Sequence, residues 1–176
     1  MLDWREEPIG RHHDRKNFDC GSPALNEYLE RYARQNHDSG GAKTFVAVSP
    51  TAPERVLGFY SISPGAIAFA SVPASLSEKL GRYEAPVFRL GRLAVDRAMQ
   101  SRGLGANLLL AAGTRTLAVA AEVGGVALAI DAKDEKATTW YERFGALALL
   151  DDPLKLILPL AVIAEAVVIA EKRRTK

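Results

Sequence analysis

Residues 93–106, Leu-Ala-Val-Asp-Arg-Ala-Met-Gln-Ser-Arg-Gly-Leu-Gly-Ala, have the composition of a ligand-binding turn. An apolar stretch that predicts a strand ends at Val95, a turn rich in hydrogen-bond donors follows, and Gly103-Leu104-Gly105 leads into a predicted helix. Glycine lets backbone N–H groups approach a ligand closely, and a helix start adds unpaired amides and the positive end of the dipole. The segment therefore predicts a pyrophosphate-binding loop. It has neither the lysine of a P-loop nor the three glycines of the dinucleotide fingerprint.

The strand before this turn favours a ligand site over an ordinary glycine turn. Phe88 and Leu90 share one parity while Leu93 and Val95 share the other, so the apolar phase slips by one residue at Gly91–Arg92. One extra residue in a strand produces such a slip, and the resulting bulge leaves backbone amides unpaired. We therefore expect a bulged strand that bends away from its neighbour beside the loop.

The other reactive side chains give weaker signals. Cys20 is the single cysteine, which excludes an intramolecular disulfide and a cysteine-based zinc site. No histidine base for it is evident, so a small buried side chain explains Cys20 better than a nucleophile does. His12 and His13 are adjacent without metal-ligand spacing, so we expect solvated loop residues and no metal. Tyr141 is either a packed aromatic residue or a proton donor.

Composition and charge limit the class of protein. The chain has 176 residues, 48% hydrophobic and 25% charged, which fits one globular domain and argues against a disordered chain. The net charge of +2 neither requires nor excludes a nucleic-acid partner. Residues 82–115 hold six arginines against two acids. Guanidinium groups suit phosphate recognition, so an anionic ligand is expected there, with a solvated positive face as the alternative.

The sequence predicts neither a membrane span nor secretion. No apolar run approaches the length of a span, and charged residues at Asp3, Arg5, Glu6 and Glu7 stand where a signal peptide has its apolar core. We therefore expect a cytoplasmic protein. The apolar run at residues 160–171 is expected to dock on the sheet or on a partner subunit rather than on a membrane surface.

Hydrophobic periodicity predicts the elements that position these residues. Ser22 and Pro23 begin a helix that extends to about residue 36. The predicted strands are residues 44–48, 56–62, 66–69, 87–96, 126–130, 146–150 and 155–158. The later helices are a short one after Pro73 and residues 103–124, 134–144 and 160–172. This order predicts a single domain, residues 1–176, with a three-layer α/β architecture and mixed strand directions.

The loop at residues 100–106 resembles that of the GNAT N-acetyltransferases. Its sequence matches the family's Gln/Arg-x-x-Gly-x-Gly/Ala motif, and residues 134–146 resemble a later helix of the same fold. The resemblance implies an acetyl-CoA-dependent enzyme with the GNAT fold, a mixed central sheet flanked by helices with a bulged strand near Gly91 and Arg92. It also implies a set of strand and loop residues that bind acetyl-CoA: Leu93, Ala94, Val95, Gln100, Ser101, Arg102, Gly103, Leu104, Gly105 and Ala106.

A second segment resembles one subfamily, the GNAT toxins of bacterial toxin–antitoxin systems. Residues 18–29, Phe-Asp-Cys-Gly-Ser-Pro-Ala-Leu-Asn-Glu-Tyr-Leu, are similar to the subfamily's N-terminal Phe-x-Cys-Gly-x-x-x-Leu-Asn-x-Tyr/Phe-Leu segment, and residues 90–96 are also similar. The resemblance implies acetylation of the amino acid on a charged tRNA, which blocks translation. It further implies a ribbon–helix–helix antitoxin and a homodimer.

The implied reaction has a simple chemical logic. A free α-amino group has a pKa of about 7.7–8.0, so part of it is neutral near pH 7, whereas a lysine amine at about 10.4 needs more help. Backbone amides of the bulged strand would hold the carbonyl oxygen, and Tyr141 would protonate the departing thiolate as general acid. No covalent enzyme intermediate is needed. The arginines expected to contact tRNA phosphates are Arg31, Arg34, Arg82, Arg89 and Arg92.

Two other functions fit the same residues. The first is a GNAT enzyme that acetylates a small-molecule or protein amine, and the second is a non-catalytic CoA-binding module. A salt-sensitive complex with tRNA would favour the toxin over the first. An intact loop together with Tyr141 argues against the second.

Overall fold

The strands form a seven-stranded mixed sheet in the computed structural model, which describes residues 3–174. In chain order they are β1 Arg5–Pro8, β2 Lys43–Ser49, β3 Ala52–Ile67, β4 Ala85–Val95, β5 Ala127–Asp131, β6 Leu147–Ala148 and β7 Lys155–Pro159. Their order across the sheet is β1-β2-β3-β4-β5-β7-β6. β4 and β5 are parallel, whereas β2 is antiparallel to β1 and β3, and β7 to β5 and β6. The predicted mixed α/β fold is confirmed.

The helices occur where the sequence predicts them, but β1 was not predicted, and the predicted strand at 66–69 is the end of β3 followed by a 3₁₀ turn at Phe69–Ser71. The helices are α1 Pro23–Glu27, α2 Ala33–Ser39, α3 Ala74–Ser77, α4 Leu104–Val123, α5 Glu135–Glu142 and α6 Leu160–Arg174. Ser22 and Pro23 start α1 as predicted. A π-helical turn at Tyr28–Tyr32 joins α1 to α2, a feature that the apolar spacing did not reveal.

β3 is much longer than predicted. It extends to Ile67 through Pro64 and Gly65, two residues that normally argue against a strand interior. β2 pairs with β3 only up to Ile62, opposite Lys43, so Pro64 lies beyond the end of that ladder and its missing N–H costs no hydrogen bond there. The predicted strand at 146–150 is, in contrast, reduced to Leu147–Ala148.

The chain forms two compact units, each assembled from separate segments. The first contains residues up to Ser63 together with Gly91–Ala111, and the second contains Pro64–Leu90 together with the residues from Ala112 onward. The boundaries fall inside β3, β4 and α4, so no linker separates the units. The single domain stays a prediction, and residues 1–2 and 175–176 of its range lie outside the described part of the chain.

Helices cover both faces of β3 in the first unit. Phe59 packs on one face with Leu29 and Ala33 of the first helical segment, all three fully buried. Gly58 faces the other way, and a Cβ there would lie 2.8 Å from Leu108 Cδ1 and 3.4 Å from Leu104 Cδ2. The first turns of α4 therefore pack directly on the backbone of β3 at Gly58, and this contact fixes the position of the N-terminus of α4.

The core of the second unit surrounds β5. Residues 127–130 are all buried, as predicted for a strand covered on both faces, and they pair with Val87–Leu90 of β4. On α6, Leu160 and Ile163 are buried, and Ile163 fills the space beside Gly113 of α4. The first turn of the apolar run at 160–171 therefore packs against α4, and docking on the sheet or on a partner subunit stays a prediction.

By length and composition alone, α4 qualifies as a membrane span, which the sequence analysis did not anticipate. Four apolar side chains of the helix, Leu104, Leu108, Leu109 and Ala112, are buried within the protein. A buried core helix passes the same test of length and composition as a membrane span. One third of the apolar stretch of α4 is buried within the protein.

Candidate active site

A turn with two left-handed residues connects β4 to α4. Asp96 caps a one-turn 3₁₀ helix, Arg97–Met99, since its Oδ1 accepts the Ala98 N–H at 3.0 Å. Ser101 has φ +61° and Gly103 has φ +84°, and α4 begins one residue later. A Cβ on Gly103 would meet nothing within 4 Å, so the backbone conformation, not crowding, favours glycine there. Left-handed residues aim successive amides to one side, which produces an anion-binding concavity.

The loop side chains divide into buried and exposed groups. Leu104 is buried in the core, so only its backbone can face a ligand, while Ser101, Arg102 and Gly103 are exposed. Gly105 and Ala106 are half-buried in the first turn of α4. The structure therefore brings the predicted loop residues together at one helix start, with exposed backbone before it.

The side chains at the end of the preceding strand are buried or half-buried. Ala94 is buried, and Leu93 and Val95 are half-buried. The bulge predicted at Gly91–Arg92 stays a prediction, although burial along β4 changes parity between Val87 and Leu90.

A short segment at residues 19–21, which we call the brace, is hydrogen-bonded to this loop. The Arg97 N–H donates to the Asp19 carbonyl at 2.8 Å, and the Asp19 N–H donates to Asp96 Oδ2 at 3.2 Å. Gln100 Nε2 donates to the carbonyls of Cys20 and Val95, both at 2.9 Å. The side-chain amide of Gln100 therefore holds the loop, and only its oxygen is left to face a ligand.

Asn26 of α1 fixes the shape of the brace. Its Oδ1 accepts the Cys20 N–H at 2.9 Å and the Cys20 thiol at 3.1 Å, and its Nδ2 donates to Asp19 Oδ1 at 2.9 Å. The Gly21 N–H donates to the same Asp19 oxygen at 2.8 Å. The hydrogen bonds from Asn26 and from the Gly21 amide lower the pKa of Asp19. Cys20 is thus half-buried and structural, and its segment supports the loop.

Tyr141 lies on α5 in the second unit. Asp134 caps this helix by accepting the Ala137 N–H at 2.8 Å, and the Trp140 ring meets the Tyr141 ring edge-on at 4.8 Å. Tyr141 is buried, and burial raises the pKa of its hydroxyl to about 12. The hydroxyl is therefore protonated at neutral pH, as a proton donor must be.

The predicted tRNA-contacting arginines divide between the two units. In the first unit Arg92 lies over the Tyr28 ring at 4.8 Å, and Arg31 and Arg34 line a groove beside α2. In the second unit Arg82 is exposed, and Arg89 pairs with Asp131 at 3.1 Å. The carboxylate of Asp131 thus partly neutralises the charge of Arg89, a pairing that the sequence analysis did not predict.

The expectation that both N-terminal histidines are solvated is wrong for His13. His12 is exposed, but the His13 side chain is buried, with its Nδ1 accepting the Gly10 N–H at 2.9 Å and its Nε2 3.2 Å from Glu7 Oε2. Burial lowers the pKa of His13. Glu7, His12 and His13 each offer one ligand atom, and these atoms lie within 4.8 Å of one another, so the three residues are close enough together to hold an ion.

Comparison with known proteins places this geometry in a class. No family model matches the chain. Among solved structures, a Tyr-to-Phe mutant of KacT superposes with a TM-score of 0.88 at 28% identity, covering 94% of this chain and 99% of that one. AtaT complexed with acetyl-methionyl-tRNAfMet gives a TM-score of 0.87 at 28% identity, covering 93% and 99%. The fold and the loop define a GNAT-fold acetyltransferase of the toxin type.

Curated relatives identify the family within that class. The chain is 37% identical over 145 residues to a tRNA-acetylating toxin of Mycobacterium tuberculosis (strain ATCC 25618 / H37Rv), covering 82% of this chain and 85% of the relative. It is 24% identical over 166 residues to a probable toxin TacT of Sinorhizobium fredii (strain NBRC 101917 / NGR234), covering 89% and 91%. The chain belongs to the family of tRNA-acetylating GNAT toxins.

Proposed function

We propose that this protein transfers the acetyl group of acetyl-CoA to the α-amino group of an amino acid carried on tRNA, and so blocks translation. The observation that carries the proposal is the turn between β4 and α4, with its left-handed Ser101 and Gly103 held by the brace. Family membership supports the same reaction, because the Mycobacterium relative is a tRNA-acetylating toxin. Among the structural neighbours, AtaT is known complexed with acetyl-methionyl-tRNAfMet, and AtaTR is known bound with acetyl-CoA.

In this proposal the loop binds the pyrophosphate of acetyl-CoA. The amides at the start of α4, from Gly103 to Ala106, have no i−4 carbonyl to bond and supply the donors. Arg102 adds an exposed positive charge next to them. The backbone of residues 93–95 pairs with the pantetheine arm, which leaves the thioester near the end of β4.

Proton transfer in this proposal depends on Tyr141. The neutral α-amine attacks the thioester carbonyl, the C–S bond breaks, and the Tyr141 hydroxyl gives its proton to the departing thiolate. A pKa of about 12 keeps the hydroxyl protonated before transfer, and the burial that raises it would also raise the proton affinity of a thiolate next to it. The attacking nitrogen loses its proton to water, and water returns a proton to the Tyr141 phenolate, so the enzyme ends in its starting state. Residues from the enzyme form no covalent bond, and the chemistry requires no metal.

We also propose a cytoplasmic homodimer that is inhibited by a ribbon–helix–helix antitoxin. Structural neighbours support regulation by a partner: AtaT is known bound to the C-terminus of its antitoxin AtaR, and KacTA is known as a complex with DNA. Which amino acid and which tRNA are selected depends on the shape of the acceptor pocket.

The test is transfer of labelled acetyl from acetyl-CoA to four acceptors: mixed aminoacyl-tRNA, the same tRNA after deacylation, a lysine-containing peptide and a set of small amines. The proposal expects label on aminoacyl-tRNA alone. Label on the peptide or the small amines would show the alternative acetyltransferase. If a folded protein that binds acetyl-CoA labelled none of them, it would be a non-catalytic module.

A further inference from the structure

Three aromatic rings lie next to one another on α5 and in the turn that follows it. The centroid of the Trp140 ring lies 4.8 Å from that of Tyr141 and 4.8 Å from that of Phe144. Tyr141 is buried, whereas Trp140 and Phe144 are half-buried. Trp140 is thus the central ring of the three, and it contacts the residue that serves as proton donor in the proposed reaction.

Helical geometry does not by itself bring Trp140 and Tyr141 together. Trp140 and Phe144 are four residues apart, so they share a face of the helical segment and are expected to meet. Consecutive residues project about 100° apart, and their side chains do not normally face each other. The rings of Trp140 and Tyr141 nevertheless meet edge-on, with an interplanar angle of 78°, so both side chains turn toward each other.

The residues on the same side of the helical segment as Tyr141 give its ring little support. They lie three or four positions away and are Ala137, Thr138, Phe144 and Gly145. The alanine and the glycine offer no ring. The Thr138 hydroxyl donates to a backbone carbonyl at 3.3 Å, and the Phe144 ring packs on Trp140. Within residues 134–145, the aromatic contact to Tyr141 therefore comes from Trp140.

Packing, not hydrogen bonding, orients the Tyr141 hydroxyl. Among residues 3–174 this hydroxyl has no hydrogen-bond partner, and burial raises its pKa to about 12. The direction of the hydroxyl is therefore set by the side-chain torsion angles and by what packs on the ring. A general acid must come within about 2.6–3.2 Å of the atom that it protonates, so a small tilt of the ring decides whether the proton is transferred.

We infer that Trp140 is a positioning residue for acetyl transfer: its ring holds the Tyr141 ring at the angle that turns the hydroxyl toward the sulfur of acetyl-CoA, an inference that rests on the proposed function. Edge-to-face contact is a preferred arrangement of aromatic pairs, because the positive edge of one ring meets the negative face of the other. Phe144 packs on the Trp140 ring in turn and keeps it in place. Trp140 acts through Tyr141 alone and does not contact the reacting atoms.

The first measurement separates transfer from binding. Single-turnover transfer to mixed aminoacyl-tRNA is measured at saturating acetyl-CoA, and acetyl-CoA affinity is measured by calorimetry. Trp140→Leu keeps an apolar side chain but removes the ring, so it should slow transfer about 10-fold to 100-fold, the cost of misplacing a reacting group, with acetyl-CoA affinity unchanged. Trp140→Phe keeps an aromatic edge and should recover transfer to within about 3-fold of the wild type. Trp4→Leu replaces the other, half-buried tryptophan and is the matched control, which should change neither quantity.

The decisive measurement is a double-mutant cycle with Tyr141→Phe. In a protein that already lacks the hydroxyl, Trp140→Leu should slow the remaining transfer less than about 2-fold, because there is no proton donor left to position. A general loss of packing, or a direct contact of Trp140 with substrate, would instead slow transfer by the same factor in both backgrounds. If Trp140→Leu does not fold in thermal unfolding, Phe144→Leu, which removes the ring that packs on Trp140, replaces it in the cycle.

The outcomes separate the inference from the proposed function. Equal factors in the two backgrounds would overturn the inference alone, and so would a Trp140→Leu rate equal to that of Trp4→Leu. A loss that falls on acetyl-CoA affinity instead of transfer would also overturn it. If Tyr141→Phe by itself leaves transfer unchanged, the proposed proton transfer fails, and the inference fails with it.

Discussion

Gln100 gives a sharp test of the brace, because its side chain joins the loop to residues 19–21. Gln100→Glu has the same size but replaces the Nε2 donor by a carboxylate oxygen that faces the carbonyls of Cys20 and Val95. Gln100→Ala removes the tether without adding repulsion. We expect both variants to fold, since both hydrogen bonds are exposed at the surface, and to bind acetyl-CoA more weakly.

The size of the effect follows from the two hydrogen bonds. Each neutral bond contributes about 0.5–1.5 kcal/mol, and solvent exposure places these two toward the lower end, about 1–2 kcal/mol together. If that free energy serves to order the loop, Gln100→Ala lowers acetyl-CoA affinity about 5-fold to 30-fold. Gln100→Glu should lower it further, because it sets a negative charge against two carbonyl oxygens.

The assay is calorimetric titration with acetyl-CoA, after thermal unfolding has shown that each variant is folded. Gln35→Ala is the matched control, because Gln35 is an exposed glutamine on α2 that lines the groove beside Arg31 and Arg34. Its acetyl-CoA affinity should equal that of the wild type. Wild-type affinity in folded Gln100→Glu would refute the reasoning, since the loop would then need no tether or would not be the binding site.

Three further predictions concern single residues. Gly103→Val should leave the protein folded but abolish acetyl-CoA binding in calorimetry, because a β-branched residue disfavours φ +84° and the turn must change to accept it; unchanged affinity would remove the loop from the site. Tyr141→Phe should slow single-turnover acetylation about 10²-fold to 10⁴-fold with acetyl-CoA affinity preserved, and equal rates would make Tyr141 a packing residue only. Burial lowers the pKa of His13 below its unfolded value of 6.5, so below about pH 6.5 the unfolded chain binds a proton that the folded protein does not, and the free energy of unfolding should fall. In urea unfolding, His13→Gln should flatten this pH dependence and His12→Gln should not. The same pH profile in the wild type and both variants would contradict the assignment.

Local sequence signals predicted the parts of the site that local backbone rules control. Gly103 marks a left-handed turn before a helix, and Ser22 and Pro23 mark a helix start, since each depends on the conformation of a few neighbouring residues. The chain order of the strands and helices from α1 onward largely followed from periodicity, whereas the short β1 was missed and the predicted strand at 66–69 is not a separate strand.

Features that depend on distant contacts were not predictable in this way. Gln100 finds its partner in Cys20, 80 positions away, and Arg15 finds the Glu30 carbonyl, 15 positions away. The burial of His13 is not shown by periodicity either, although its hydrogen-bond partners Gly10 and Glu7 are close in sequence.

Identification of the acetylated group is the most direct test of the central claim. The protein is incubated with labelled acetyl-CoA and mixed aminoacyl-tRNA, the RNA is digested with nuclease, and the released aminoacyl-adenosine is examined by mass spectrometry. The account predicts an acetyl group on the α-amino nitrogen of the amino acid that remains esterified to adenosine. Label on a base, on a lysine side chain or on the protein alone, with unmodified aminoacyl-adenosine, would contradict it.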